Sequence, residues 1–418
     1  MRLSLSAAGL SLLGLAVDSY WDIRAGLSPA YIIVPSTADK VSKAVQIIGT
    51  CQAKFSVHDG GHMNYPGANN IDACVLIGLS NLNAIDVKNG SVDVGPGNNW
   101  YDVYSALEPY GSVCIGGCMK TIGVPGLSLI GGFHYFNNKY GYAMDNVISY
   151  DIVLGNGTLI TVTRDAYSDL FWALKGGANN YGIVTRFELR TFDVPKVSTT
   201  IQVFNETCIA DFLSDVCEAA KLDDEDPIAA ASVLGVQAGI SMPPSQFTNF
   251  TQIRAIETIN NITTMKPCDT LDSPKQTMRT WKDAIDKIAD VQGLYPTFVT
   301  NVISATSIRV AKTNGVGNLW GLEEEPLIIW QFSTGWDLAQ DDIRMEAWSR
   351  QLAEHLHSIN KKLGLASEFI YMADTGEWQD PFAGLPEKNV DLMREIRSAH
   401  DPAGVFFILS YGGFKLGL

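Results

Sequence analysis

A chain of 418 residues, 46% apolar and 18% charged, can bury a core in two or three domains, which excludes disorder over most of its length. Thirty Lys and Arg against 45 Asp and Glu leave a net charge of −15, a balance that repels phosphate backbones and anionic lipid. Nucleic acid and a membrane surface are poor partners for such a chain. A small molecule is the better one, and no protein partner is evident.

The chain opens with Arg2 and an apolar, small-residue segment from Leu3 to Val17, which reads as a secretory signal peptide over residues 1–17. Sequons at Asn89, Asn156, Asn205, Asn249 and Asn261 agree with a secreted glycoprotein. No apolar run reaches the roughly 20 residues of a membrane-spanning helix. Cysteines 51, 74, 114, 118, 208, 217 and 268 are too scattered for a disulfide scaffold, and an odd count leaves one thiol if the rest pair. With no C-x-x-C and no H-E-x-x-H, no metal site is expected.

Tyr31–Val34 predicts a strand ended by Pro35. Ser36 is placed to cap a helix whose Val41, Ala44, Val45 and Ile48 fall on one face. Lys54–Val57 is a second strand and runs directly into His58-Asp59-Gly60-Gly61-His62. Tyr150, Ile152 and Leu154 alternate with polar neighbours before a Gly155-Asn156-Gly157 turn, and Leu159–Val162 returns as the second arm of a hairpin. Ser168 is the expected cap of a short helix through Leu174, stopped by Gly176-Gly177. The next strand, Ile183–Phe192, sets Phe187 and Leu189 against Arg186, Glu188 and Arg190. From about Pro195 glycine thins and segments lengthen, which marks a second domain. Its clearest element is a helix near Asp341–Leu363 with Met345, Trp348, Leu352, Leu356, Ile359 and Leu363 as its stripe, and His355 and His357 on its flank and solvent side.

Of 38 glycines, 20 fall between Gly60 and Gly182, as a loop surface lying against a bound group would require. Four of these loops stand out: His58–His62, Gly95–Trp100, Gly123–Gly126 continuing to Gly131-Gly132, and Lys175–Gly182. Exposed main-chain N–H groups in such loops form anion nests that can hold a pyrophosphate without lysine, which suits an acidic protein. No G-x-G-x-x-G opens a helix after the first strand and no P-loop occurs, so Rossmann and NTPase folds are disfavoured.

The order and spacing of these loops resemble the FAD-linked oxidoreductases of the vanillyl-alcohol-oxidase and p-cresol-methylhydroxylase superfamily, and within it the berberine-bridge-enzyme-like group of fungal secondary metabolism. The resemblance runs from Tyr20-Trp21 to the end, through Ala53–His62, Asn70–Asp72, Gly95–Gly97, Gly116–Gly132, Asp145–Val147, Asp169–Gly177, Phe369–Met372, Asp401–Phe406 and Gly412–Lys415. It implies an α+β fold: a two-subdomain FAD-binding domain over 18–195, a substrate-binding domain over 196–365 with an antiparallel sheet above the flavin, and a C-terminal segment, 366–418, returning to the first domain. The early helix and strand that the family carries before the Tyr-Trp segment are not represented, which reads as a shortened N-terminal region.

By position, the resemblance makes the loop His58, Asp59, Gly60, Gly61 and His62 the one that wraps the FAD pyrophosphate, with His62 the candidate for a covalent bond to the flavin. The plainer alternative is a histidine that ends a tight loop. His58 stands where the family has arginine, removing a fixed positive charge. Cys118 is near the position of a second flavin link but one residue further from Gly123 than that pattern requires, so a free or buried thiol is its other reading. Gly123, Gly126, Gly132, Asn146, Val147, Gly182 and Ile183 are placed along the cofactor. The implied reaction is hydride transfer from a small secondary metabolite to flavin N5, with dioxygen as electron acceptor. Tyr371 is the first candidate for proton transfer and Asp374 the second, while His134 sits beside the flavin or is simply packed. Two other readings keep the fold: an isomerase or cyclase without net oxidation, and a non-catalytic remnant.

Overall fold

The computed structural model of the protein describes residues 20–194, 196, 208, 211, 213–215, 233–237, 261–265 and 272–417. The apolar segment 1–17, the sequons at Asn205 and Asn249, and Cys217 and Cys268 lie outside them. Among the described residues, no helix is long and apolar enough to cross a membrane and no cluster of ligating side chains could hold a metal. Cys51, Cys74, Cys114 and Cys118 are not in disulfides.

The first helix, Ala38–Cys51, buries Val41, Ala44, Val45 and Ile48, the four positions whose spacing predicts it. Its cap is Thr37 rather than Ser36, with Thr37 Oγ1 accepting the Lys40 amide at 3.3 Å. It covers a small parallel sheet of β1 (Tyr31–Ile33), β2 (Phe55–His58) and β3 (Val75–Gly78), in the order β1-β3-β2. Phe55 and Ile77 meet the helix, and Val405, Phe406 and Leu409 from near the C-terminus complete that core. Ser410 bridges to Phe55 in parallel register, and the Tyr411 amide donates to the Phe55 carbonyl at 2.6 Å, so the end of the chain extends the edge of β2.

The second sheet is antiparallel and built from β4 (Ile85–Val87), β5 (Ser91–Val94), β6 (Ser112–Cys114), β7 (Val147–Val153), β8 (Leu159–Thr163) and β9 (Ile183–Asp193). Its order is β4-β5-β9-β7-β8, with β6 also on β9. The predicted hairpin is β7–β8, closed by the Gly157 amide donating to the Leu154 carbonyl at 2.8 Å. Phe187 and Leu189 of β9 enter the core, while Arg186 on the other face pairs with Asp151 at 2.6 Å and Asp93 at 3.1 Å. The helix Ser168–Leu174 begins where expected, but its N-cap is Tyr167, held at φ 60°, and not Ser168.

The third sheet is β10 (Val233–Gln237), β11 (Asn261–Met265), β12 (Tyr295–Ile303), β13 (Leu327–Gly335) and β14 (Ala366–Ser367), antiparallel in the order β10-β12-β13-β11-β14. One face buries Phe298, Trp330 and Phe332 against Met345, Leu352 and Leu356 of helix Asp342–Lys362. Of the predicted stripe, Leu363 is the exception, since it follows the last helical residue and is exposed. His355 is exposed, and half-buried His357 lies 3.4 Å from Glu368.

A buried ion pair ties the two halves of the chain together. Lys175 Nζ lies 3.1 Å from Asp145 Oδ1 with both side chains excluded from solvent, and it also donates to the Asn314 carbonyl at 3.3 Å. Asp145 Oδ2 accepts the Tyr142 amide at 3.1 Å, and Asn318 donates to its Oδ1 at 3.4 Å. Removing one member of such a pair strands the other charge in the interior. Lys175→Met is therefore expected to cost about 3–5 kcal/mol in urea unfolding, and adding Asp145→Asn is expected to recover part of that loss.

Candidate active site

Between the three sheets lies a cavity of about 970 Å³, at the upper end of small-molecule and cofactor sites. Its floor and one end come from the glycine loops, with Asp59, Gly60, Gly61 and His62 facing Gly123 and Gly126. The loops meet main chain to main chain: a Cβ on Gly60 would fall 2.4 Å from the Gly123 nitrogen. A further part of the wall is apolar, formed by Val57, Leu79, Ile183, Val184 and Phe406, with Asn69, Asn179 and Ser410 also on the lining.

The roof is the free face of the third sheet. A strand alternates its side chains, so while Phe298 faces the core, Thr297, Val299 and Asn301 face the cavity from β12, joined by Gln331 and Ser333 from β13. Thr297 stands opposite Ser333 and Val299 opposite Gln331. No lysine or arginine lines the cavity among the described residues, and Asp59 and Asp374 are the acidic side chains on its wall.

His62 lies on the wall stacked on Trp21, with ring centroids 4.8 Å apart. Its Nε2 is 2.7 Å from Thr121 Oγ1, and Nδ1 has no hydrogen-bond partner among the described residues. Burial lowers its pKa to about 4, so the ring is neutral at physiological pH, the form in which a ring nitrogen can act as a nucleophile. Cys118 is also on the wall, its Sγ 3.6 Å from the Phe133 carbonyl, and desolvation raises its pKa so that it remains a thiol. His134 is neutral for the same reason as His62, with its pKa lowered to about 4 by burial. Its Nδ1 accepts the Phe136 amide at 3.2 Å, which leaves the proton on Nε2.

Tyr371 and Asp374 occupy one wall as a short turn. Tyr371 is buried, with its ring 4.3 Å from Phe133, and its hydroxyl accepts the Gly132 amide at 3.1 Å. Burial and the nearby Asp374 carboxyl push this phenol well above its ordinary range, so it stays protonated at neutral pH. Asp374 differs: its side chain has no hydrogen-bond partner among the described residues, and burial raises its pKa from 3.8 to about 7. A carboxyl that titrates near neutrality on a cavity wall has the properties of a general base, which places Asp374 ahead of Tyr371 for that role.

Four expected cofactor contacts stand off the wall. His58 is buried in β2, its Nδ1 3.2 Å from the Asn69 carbonyl and its ring beside Tyr20. Asn146 donates to the carbonyls of Tyr140 and Tyr142 at 2.8 Å each and so closes its own turn, while Val147 starts β7 opposite Leu189 with its side chain in the core. Gly132 holds the Tyr371 hydroxyl instead of lining the cavity, and its φ of +88° with Ala143 behind it leaves no room for a side chain. The cavity does gather Asp59, Gly60, Gly61, His62, Cys118, Gly123, Gly126, Gly182, Ile183, His134, Tyr371 and Asp374. Sequence reasoning singled out the loop that carries Asn179 and expected a sheet over the site, but it did not name Asn69, the Asn179 side chain or the roof residues Thr297, Asn301, Gln331 and Ser333. The alternation of Thr297, Val299 and Asn301 in a strand was the available signal.

Residues 29–163 match the family described as FAD binding domain. A curated relative, the FAD-dependent monooxygenase prx3 of Penicillium roqueforti, is 29% identical over 98% of this chain and 90% of its own length. In three dimensions the chain is similar to 6-hydroxy-D-nicotine oxidase from Arthrobacter nicotinovorans, with a TM-score of 0.73 at 16% identity, covering 99% of this chain and 97% of that one. It is also similar to glucooligosaccharide oxidase from Acremonium strictum, a protein described with 6-S-cysteinyl, 8α-N1-histidyl FAD, with a TM-score of 0.72 at 16% identity over 96% and 94% of the two chains.

The chain carries an FAD binding domain over residues 29–163 and shares the fold of these flavin oxidases along its length. The enzyme has the α+β fold of their FAD-binding domain, and its cavity suits the cofactor in two respects. The apposed glycine loops leave backbone room for a close-lying group, and the buried Oδ1 atoms of Asn69 and Asn179, both on the wall, have no donor among the described residues. In the enzyme, Tyr371→Phe keeps the ring but leaves the buried Gly132 amide without its acceptor. Denaturant unfolding is expected to show a loss of about 1–3 kcal/mol, and an unchanged midpoint would mean that the hydroxyl is not pinned.

Proposed function

We propose that the enzyme is an FAD-dependent oxidase of a small, uncharged, oxygen-bearing secondary metabolite, with dioxygen as the electron acceptor. The observation that carries this reading is Asp374, a carboxyl raised to about 7 on the wall of a cavity whose roof is polar yet uncharged. Thr297, Asn301, Gln331 and Ser333 offer donors and acceptors to hydroxyl and carbonyl groups, and among the described residues no cation stands there to hold an anionic substrate. The curated relative named as a monooxygenase and the solved neighbours named as oxidases support oxygen as the acceptor.

When bound, FAD supplies the hydride acceptor. The protein supplies the rest. Gly60, Gly61, Gly123 and Gly126 would flank the cofactor through main chain, Asn69 and Asn179 would accept hydrogen bonds from it, and His62 would bond to it through the unengaged nitrogen of its neutral ring. Asp374 would take the proton of a substrate hydroxyl while protonated Tyr371, fixed by the Gly132 amide, orients the same oxygen. His134 can donate from Nε2 to an oxygen within the cavity.

Because the base must be ionised, turnover is expected to fall as pH drops through about 7. Asp374→Asn should lower kcat by about 10²- to 10⁴-fold, abolish that acidic limb and leave the flavin content unchanged. A retained acidic limb in the variant would exclude Asp374. Peroxide release in air, set against turnover in its absence, distinguishes oxidation from an isomerisation or cyclisation. The link is tested separately: His62→Ala should yield protein whose flavin is released by acid, read by peptide mass analysis. An acid-stable flavin in that variant would move the link to Cys118.

A further inference from the structure

The cradle between the glycine loops already contains an anion. Asp59 stands on the cavity wall at the start of the first loop, and its Oδ2 accepts the Gly126 amide of the second loop at 3.1 Å. The same oxygen lies 2.9 Å from where a Cβ would stand on Gly123 and 3.5 Å from that of Gly126, so the carboxylate is wedged against the stretch of main chain offered to the cofactor. Among the described residues no lysine or arginine lines the wall to offset it, and His58 lies buried in β2.

We propose that Asp59 is a resident anion that competes with the phosphates of the dinucleotide for the Gly126 amide and so lowers the enzyme's non-covalent affinity for FAD. This rests on the reading of the cavity as the FAD site. A pyrophosphate brings two negative charges to a nest whose amide is already taken by a third, and like charges a few ångströms apart repel, the more so at low salt. To bind, the cofactor must turn the Asp59 side chain away from Gly126 or forgo that amide. A covalent bond from the protein to the flavin would then do more than tune the cofactor: it would hold a ligand that the cradle by itself binds weakly.

The test uses the full chain in a His62→Ala, Cys118→Ala background, which removes both candidate links so that flavin exchanges freely. Dissociation constants for FAD and for riboflavin, which lacks phosphate, are measured by flavin fluorescence with Asp59 intact and with Asp59→Asn. The asparagine keeps an oxygen for the Gly126 amide and removes only the charge; Asp59→Ser serves as a second, smaller replacement. Asp59→Asn is expected to tighten FAD by at least about tenfold, to leave riboflavin within about twofold, and to lose much of its advantage as salt is raised. Equal FAD affinity with and without the charge, or equal tightening of both ligands, overturns the proposal. If every variant is folded and binds neither ligand, the assignment of the cavity to FAD falls, and the proposal with it.

Discussion

The site depends on two stretches of main chain touching with no side chain between them. A Cβ on Gly60 would lie 2.4 Å from the Gly123 nitrogen, and one on Gly123 would lie 2.8 Å from the Gly60 nitrogen. Neither position can carry even alanine without prising the loops apart. The second loop is held from behind as well: the Trp100 amide donates to the Ile122 carbonyl at 3.0 Å, and the Val124 amide to that of Asn98 at 3.1 Å. Beneath it, Gly116 and Gly117 lie flat on the fully buried Trp100 ring. The cradle's width is thus set by backbone contact and one indole rather than by adaptable side chains.

This explains why the glycine loops on the cavity wall were legible in the sequence. Main-chain sites leave a mark in composition, because only glycine permits the approach, and the loops at Gly60, Gly123 and Gly182 appear in order along the chain. Side-chain sites leave no such mark. Asp374 reads as an ordinary aspartate in a segment whose burial depends on how Tyr371 meets Phe133 and Trp320, a contact made by residues far apart in sequence. The roof was hidden for a related reason. Which of Thr297 and Phe298 faces the cavity follows from the pairing of β12 with β13 and from the helix on the other side, and a shift of one residue would exchange the faces. Asn146 and Val147 show the converse. Their motif was recognisable, but its work is internal, closing a turn and starting a strand one layer away from the cavity.

The electrostatics of the cavity follow from the same economy of side chains. Among the described residues no cation stands on the wall and neither acid has an ion partner, but their surroundings differ. Asp59 is tied to a backbone amide, whereas Asp374 has no hydrogen-bond partner among the described residues and is pushed by burial to about 7. An arginine near Asp374 would hold its pKa down, and none of the described residues on the wall supplies one. Around the glycine loops the described wall likewise offers main-chain amides rather than cationic side chains.

The polar roof and the turn that carries Tyr371 and Asp374 are also mechanically separate. Tyr371 and Asp374 sit on a turn closed by Thr375 Oγ1 donating to the Tyr371 carbonyl at 2.8 Å, and the Tyr371 hydroxyl is fixed by Gly132, whose carbonyl accepts the Ala143 amide at 2.9 Å. That turn, 142–146, is in turn secured by the Lys175–Asp145 pair. Moving the base would disturb every member of this chain of contacts. The roof residues project from a sheet whose opposite face carries the packing of Phe298, Trp330 and Phe332, so replacing Asn301 or Gln331 changes the shape and hydrogen bonding of the cavity without unpacking the core. A fold arranged in this way can reshape the cavity by altering one face of one sheet while Tyr371 and Asp374 stay where they are.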